Sequence, residues 1–187
     1  TYLLSRLEAF HKDYPDIRIR ILNGTTSMVL DYLHAGQVDI AFASEAPDET
    51  VYSVRHCVDT HTIFVAAPDY LEFDKVYTME EIAALPLIAL RRGTSTFDLY
   101  EALFRRHGLS YAPDIEAATS TQLLPLVKNG LGIAFVPDVL LPAPGIERLH
   151  LREGLPERAV CLIRRTDRPR SVAAAALETM LLSLQNK

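Results

Sequence analysis

Residues 91–96 read Arg-Arg-Gly-Thr-Ser-Thr, wedged between the apolar run Leu87–Leu90 and a helical pattern from Phe97. Two similar joints, Asn23-Gly24-Thr25-Thr26-Ser27 and Thr119-Ser120-Thr121, also fall where a strand pattern hands over to a helix. Hydroxyls and free N–H groups at a helix start, next to a guanidinium, suit an anion. The same residue types are ordinary helix N-caps. One cap needs one hydroxyl, so three joints with tandem hydroxyls favour a shared anion site. Arg91 and Arg92 occupy successive strand positions and point to opposite faces, so one of them, taken here as Arg92, can serve that site.

A nucleophile is the rival chemistry. Gly93-Thr94-Ser95-Thr96-Phe97 approaches the G-x-S-x-G elbow, with Asp138 and His150 following in triad order. Phe97 stands where the second glycine should allow the strained turn, which weakens a Ser95 acyl hydrolase. Gly130-Leu131-Gly132 lies between a helix and a strand and lacks the third glycine of a dinucleotide loop, so it reads as a helix C-cap. Arg164, Arg165, Arg168 and Arg170 surround Pro169 and read as a solvated loop. The six histidines are scattered, no paired metal ligands stand out, and no cofactor is expected.

The elements that would carry these joints follow from periodicity. Leu3, Leu7, Phe10 and Tyr14 mark an amphipathic helix, and Ile17-Arg18-Ile19-Arg20-Ile21 alternates as a strand does. A helix to Leu33 and a strand from Val38 to Ala43 follow. Apolar runs at 51–58 and 63–67 read as two strands, and Thr78 with Glu81 forms a capping box for a short helix. Helices over 97–107, 123–128 and 171–184 alternate with strands near Ile115 and at 131–136, 146–151 and 159–164. This is an α/β protein built on parallel sheets. A unit that opens on a helix implies a preceding strand for it to cover, so a strand is expected upstream of Thr1.

A chain of 187 residues with 49% hydrophobic composition supports one large domain or two lobes. Its net charge of −5 argues against a surface built mainly for nucleic acid. Neither a membrane-length apolar run nor a signal layout is visible, and two cysteines make no disulfide framework. The default setting is cytoplasmic.

The stretches LLSRLEAFHKDYPDIRIRI, NGTTSMVLDYLHAGQVDIAFA, TMEEIAALPLIAL and LLPLVKNGLGIAFVPDVLL, in this order along the whole chain, resemble the effector-binding domain of LysR-type transcriptional regulators. The resemblance implies a type 2 periplasmic-binding-protein-like fold: two Rossmann-like lobes joined by two crossover strands, with the effector between them. It puts lobe I at 1–58 plus 161–187 and lobe II at 59–160, with Cys57 and Cys161 as reduced thiols in adjacent crossovers. It implies ligand contacts at Thr25, Thr26, Ser44, Thr94, Ser95, Thr96 and Thr119, beside Arg92 from the residues themselves. Glu45, following Ser44, can bond an amino group. The segment FASEAP is similar to its counterpart in the sulfur-assimilation branch and hints at a sulfur or amino-acid-like effector.

Implied partners are a small-molecule effector (a carboxylate, amino-acid derivative or oxyanion), a homodimer or homotetramer, and RNA polymerase in the full-length protein. Operator DNA would be reached only through an N-terminal winged helix-turn-helix that this chain lacks, as it lacks the first strand. The fold alone also allows a transporter's solute-binding protein.

Overall fold

The computed structural model describes residues 2–44 and 50–183. Its contacts divide the chain into two compact units, residues 1–59 with 159–187 and residues 60–158. The chain passes from one to the other inside β2 (Tyr52–Ala66) and back inside β8 (Glu157–Arg165). The two apolar runs at 51–58 and 63–67 are therefore one strand of 15 residues rather than two. Polar Asp59, Thr60, His61 and Thr62 interrupt its apolar pattern without interrupting its backbone ladder.

In the first unit, α1 (Tyr2–Asp13) buries Phe10, which stacks on Tyr14 with ring centroids 4.9 Å apart. Residues 17–21 do not form the expected strand: among the described residues they join no ladder, and Ile19 and Ile21 are 38% and 63% exposed. Alternation fits a residue run to a pleated surface, but only a neighbour's N–H and C=O groups make it a strand. After α2 (Thr26–His34), strand β1 (Ala41–Ala43) is shorter than the expected run from Val38 and pairs antiparallel with β8, Ala41 opposite Ile163 and Ala43 opposite Cys161.

Side-chain parity on β8 separates two small cores. Cys161 and Ile163 meet Leu33 of α2, whereas Leu162 points the other way and meets Cys57 and Leu181 of α6 (Val172–Ser183). The two cysteines lie on neighbouring strands, both buried and neither in a disulfide, on opposite faces. Burial pushes the Cys161 thiol above its ordinary value, with Cys57 and Asp59 adding to the effect.

The arginine run is only in part the expected solvated loop: Arg164 and Arg165 end β8, and residues 166–170 are exposed outside any helix or strand, yet all four guanidiniums are engaged. Arg165 and Arg168 donate to the carbonyl oxygen of His34 at 2.8 and 3.2 Å, satisfying the C-terminal end of α2. Arg164 and Arg170 flank the Glu178 carboxylate at 3.4 and 3.2 Å, and that carboxylate is only 8% exposed. A buried carboxylate between two guanidiniums should leave a deficit when neutralised, moderated because Arg170 is half exposed. Glu178→Gln is expected to cost about 1–3 kcal/mol, read as a lowered midpoint in urea unfolding with an unchanged slope.

The second unit is a six-stranded mixed sheet in the order β3 (Val76–Tyr77), β7 (Glu147–Leu151), β2, β6 (Ile133–Pro137), β4 (Leu87–Leu90), β5 (Ile115–Ala117). Pairs β4–β5, β4–β6 and β3–β7 are parallel, as the strand–helix alternation requires, while β2 runs antiparallel to both its neighbours. Phe64 and Ala66 point to α3 (Met79–Ala83) and α4 (Ser95–Arg106), and Ile63 and Val65 to α5 (Ser120–Lys128). With helices on both faces the central strands are apolar on both sides. The Thr78–Glu81 capping box forms as the sequence implies.

Gly130 ends α5 with a φ of +71°, and Gly132 has a separate task. Its φ is +153°, and a Cβ there would sit 2.4 Å from the carbonyl oxygen of Pro86, the oxygen that accepts the Ile133 N–H at 2.9 Å. Only glycine lets β6 enter this close beside β4.

Candidate functional site

Strands β4 and β5 run parallel with Leu90 opposite Ala117, and the Arg91 N–H donates to the Ala117 carbonyl at 3.0 Å. The joints that follow them therefore leave the same carboxyl edge side by side, where open α/β sheets hold ligands. Gly93 turns the chain with a φ of +84°. Thr94, buried, then caps α4: its hydroxyl accepts the Phe97 N–H at 3.2 Å and donates to the Arg91 carbonyl at 2.9 Å. That hydroxyl fixes the turn and has its own proton committed to it.

Helix α4 starts two residues earlier than its apolar pattern, so Ser95 and Thr96 lie in its first turn. Both meet a group that the sequence analysis missed. Arg158, in β8, donates from Nη1 to Thr96 Oγ1 at 2.7 Å and from Nη2 to Ser95 Oγ at 3.3 Å. Its carbonyl accepts the Thr60 hydroxyl at 3.2 Å, which ties its backbone to β2. No local pattern marks Arg158, because it is 62 residues from Thr96 and reaches it only through the fold.

One helical turn beyond Thr96, the Tyr100 hydroxyl lies 3.5 Å from Thr62 Oγ1 in the interior. Burial raises the Tyr100 pKa, opposed by the Thr62 hydrogen bond and by the Arg158 charge. Electrostatically, Arg158 is the unusual member of the group. A helix N-terminus carries partial positive charge, so a guanidinium placed there adds like charge to like. The hydroxyl oxygens of Ser95 and Thr96 lessen the conflict, and an anion in contact with both the guanidinium and the first-turn amides would reverse it.

The other sequence-derived residues are placed as follows. Arg92 is exposed, bonds Glu101 at 3.1 Å and lies over the Phe97 ring at 4.6 Å. Thr119 is the N-cap of α5, where Gln122 Oε1 accepts the N–H groups of Thr119 and Ala118 at 3.2 and 3.0 Å. Thr25 caps α2 through the Met28 N–H at 3.4 Å, Thr26 opens that helix, and Ser44 follows β1, half-buried. Each of the three joints thus contains a helix N-cap residue, and the joint at 94–96 also carries a cation. Glu45 and the rest of the second half of the FASEAP segment lie outside the described residues.

The hydrolase constellation does not assemble around Ser95 in these contacts. An activated serine needs a base in hydrogen-bond reach, and a guanidinium donates to Ser95 Oγ at 3.3 Å. Asp138 accepts the His61 main-chain N–H at 3.3 Å, and His150 is exposed on β7, where it pairs with Val76. Among the described residues no cluster of three or more His, Cys, Asp or Glu could hold a metal ion, and no helix is long and apolar enough to cross a membrane.

Comparison with known proteins gives a family match over nearly the whole chain: the LysR substrate binding domain matches residues 1–185. The HTH-type transcriptional regulator cbl of Klebsiella aerogenes is 31% identical over 136 residues, covering 71% of this chain and 42% of that protein. CysB of Haemophilus influenzae is 28% identical over 140 residues, covering 72% and 43%. The chain thus spans less than half the length of these relatives.

Solved structures share the fold. The cofactor-binding domain of the Cbl transcriptional regulator superposes with a TM-score of 0.82 at 22% identity, covering 96% of this chain and 81% of that one. The regulatory domain of Synechocystis PCC6803 CcmR in complex with 2-PG gives 0.86 at 17% identity, covering 99% and 92%. The effector-binding domain of QuiR in complex with shikimate gives 0.82 at 18% identity, covering 96% and 88%.

Proposed function

Because this chain belongs to the LysR substrate-binding domain family, we propose that it senses a small anionic metabolite for a longer LysR-type transcriptional regulator. The single observation carrying the ligand class is the Arg158 guanidinium set at the positive end of α4 against Ser95 and Thr96. A carboxylate or an oxyanion gains charge-assisted hydrogen bonds from such a cluster. Two neighbours were solved with 2-PG and with shikimate; for this chain a carboxylate, an amino-acid derivative or an oxyanion is the proposed class.

Thr94 and Gly93 shape the turn, Ser95, Thr96 and Arg158 face the anion, and Thr119 lines the neighbouring joint. Thr25, Thr26 and Ser44, in the first unit, are proposed as further ligand contacts. Arg92 serves as a secondary charge near the same helix start. Binding acts by population shift: the ligand favours whichever conformation holds it more tightly, by no more than the difference in its two affinities. In the proposed cytoplasmic regulator, a homodimer or homotetramer passes that shift to N-terminal winged helix-turn-helix domains on operator DNA and to RNA polymerase.

The test is thermal stability against a panel of small carboxylates, amino-acid derivatives and oxyanions. A true ligand at 100 times its dissociation constant is expected to add about 2.7 kcal/mol, and Ser95→Ala should blunt the shift. A compound that stabilises both forms equally binds elsewhere. A panel that leaves the full-length regulator unshifted counts against an anionic effector.

A further inference from the structure

Helix α4 turns an aromatic stripe to the core. On it the Tyr100 ring lies 5.0 Å from Phe135 and 6.2 Å from Tyr111, in one cluster with Phe97 and Phe104. A phenylalanine would fill that space equally well, so packing accounts for the ring and not for its hydroxyl. The hydroxyl is carried into an interior where a polar group costs free energy unless it is well bonded. Its contact with Thr62 Oγ1 is 3.5 Å long, against about 2.7–2.8 Å for an ordinary O–H···O bond. Tyr100 is 4% and Thr62 7% exposed, and one shared contact engages only one of their two protons.

The pair stands beside the anion-binding group. Tyr100 follows Thr96 by one turn, and helical side chains lean towards the N-terminus, so the Tyr100 side chain covers the turn that holds Ser95 and Thr96. Thr62 and Thr60 share a face of β2, and the Thr60 hydroxyl holds the Arg158 carbonyl at 3.2 Å. The Arg158 guanidinium bonds both first-turn hydroxyls, and its charge reaches Tyr100, where it opposes the pKa rise that burial causes.

We propose that the Tyr100 and Thr62 hydroxyls read a hydroxyl group of the ligand, so that the effector is a hydroxylated carboxylate rather than a plain carboxylate or an amino acid. This rests on the anion site proposed at the start of α4. The carboxylate meets Arg158, Ser95 and Thr96, and the ligand hydroxyl enters the long Tyr100–Thr62 contact, accepting from one protein hydroxyl and donating to the other. A hydroxyl does both at once, whereas a methyl group would leave both protein hydroxyls buried and poorly paired. An ammonium only donates, and it would face the Arg158 charge in a poorly hydrated place.

The test is calorimetric titration of the full-length regulator with matched probes: lactate and 3-hydroxypropionate against propionate, malate against succinate, and alanine and sulfate as controls. Each hydroxylated probe is expected to bind roughly 3- to 10-fold more tightly than its plain partner, the worth of one neutral hydrogen bond. Alanine should bind no more tightly than propionate. In Tyr100→Phe and Thr62→Val that preference should vanish while propionate and succinate bind as before, and Thr62→Ser, which keeps a hydroxyl, should retain it. Urea unfolding without ligand checks the fold of each variant. A purely structural role for the pair would weaken both members of every couple together, which overturns the proposal. Equal binding of hydroxylated and plain probes to the unaltered protein, or binding of sulfate alone, also overturns it and leaves the anion site standing. No binding by any probe overturns the anion site and this proposal with it.

Discussion

Arg158→Ala is expected to weaken binding of the anionic ligand by about 10- to 100-fold, corresponding to the roughly 1.5–3 kcal/mol of a hydrogen bond to a charged group. The loss should fall on binding rather than on folding. Arg158 is half-buried, and the hydroxyls of Ser95 and Thr96 that it contacts can return to water when the guanidinium is removed. Removing a positive charge from a helix N-terminus even relieves a small repulsion. Arg158→Lys keeps the charge without the two-pronged geometry and should fall between the two.

Arg92→Ala is the informative companion. Its guanidinium is held by Glu101 and by the Phe97 ring on the flank of α4, so its loss should change affinity by less than the loss of Arg158. Isothermal titration of the three variants with the compound selected by thermal shift measures this directly. Wild-type affinity in Arg158→Ala would remove the argument for an anion at this helix start.

The second large effect is on stability. Phe64→Ala should destabilise the protein by about 3–5 kcal/mol, the cost of a large cavity in a packed interior. Phe64 is fully buried in the centre of the second unit's sheet. It is opposite Phe135 on one side and Leu149 on the other, with its ring 5.6 Å from Phe135 and 6.2 Å from Tyr77. Strands cannot slide to close such a hole without breaking both ladders. Against a typical total of about 5–15 kcal/mol, the variant should melt far below the parent, whereas Val172→Ala, at a residue 89% exposed, should not. A Phe64→Ala protein with parental unfolding in urea and heat would mean that this core is looser than its packing implies.

Much of the protein is legible from residue order because the features concerned are local. The strand–helix alternation, the capping box at Thr78 and Glu81, and the caps at Thr25, Thr94 and Thr119 depend on neighbours within one turn of chain, and the structure contains them. The helix–glycine–strand stretch from Leu123 to Val136 also carries the family resemblance. The failures are non-local. Residues 17–21 have the alternation of a strand, but pairing depends on another segment. The arginine run from 164 to 170 looks like a solvated loop until α2 and α6 bring the His34 carbonyl and the Glu178 carboxylate to it. Two apolar runs fuse into β2 because its polar middle is also backbone of a crossover.

The candidate site divides along the same line. The sequence by itself determined where helices begin and that hydroxyls stand there, since a helix start needs acceptors for its first N–H groups wherever it lies. It also placed the joints at 91–96 and 119–121 after strands, hence at a sheet edge, whereas residues 17–21 ahead of the first joint join no ladder among the described residues. Only the tertiary structure decided which joint carries a cation. Arg158 reaches Ser95 and Thr96 because β8 returns the chain past the start of α4, and no spacing rule links positions 62 residues apart. Charge complementarity acts through space, over a few ångströms of partly desolvated protein, whereas capping and periodicity act along the chain.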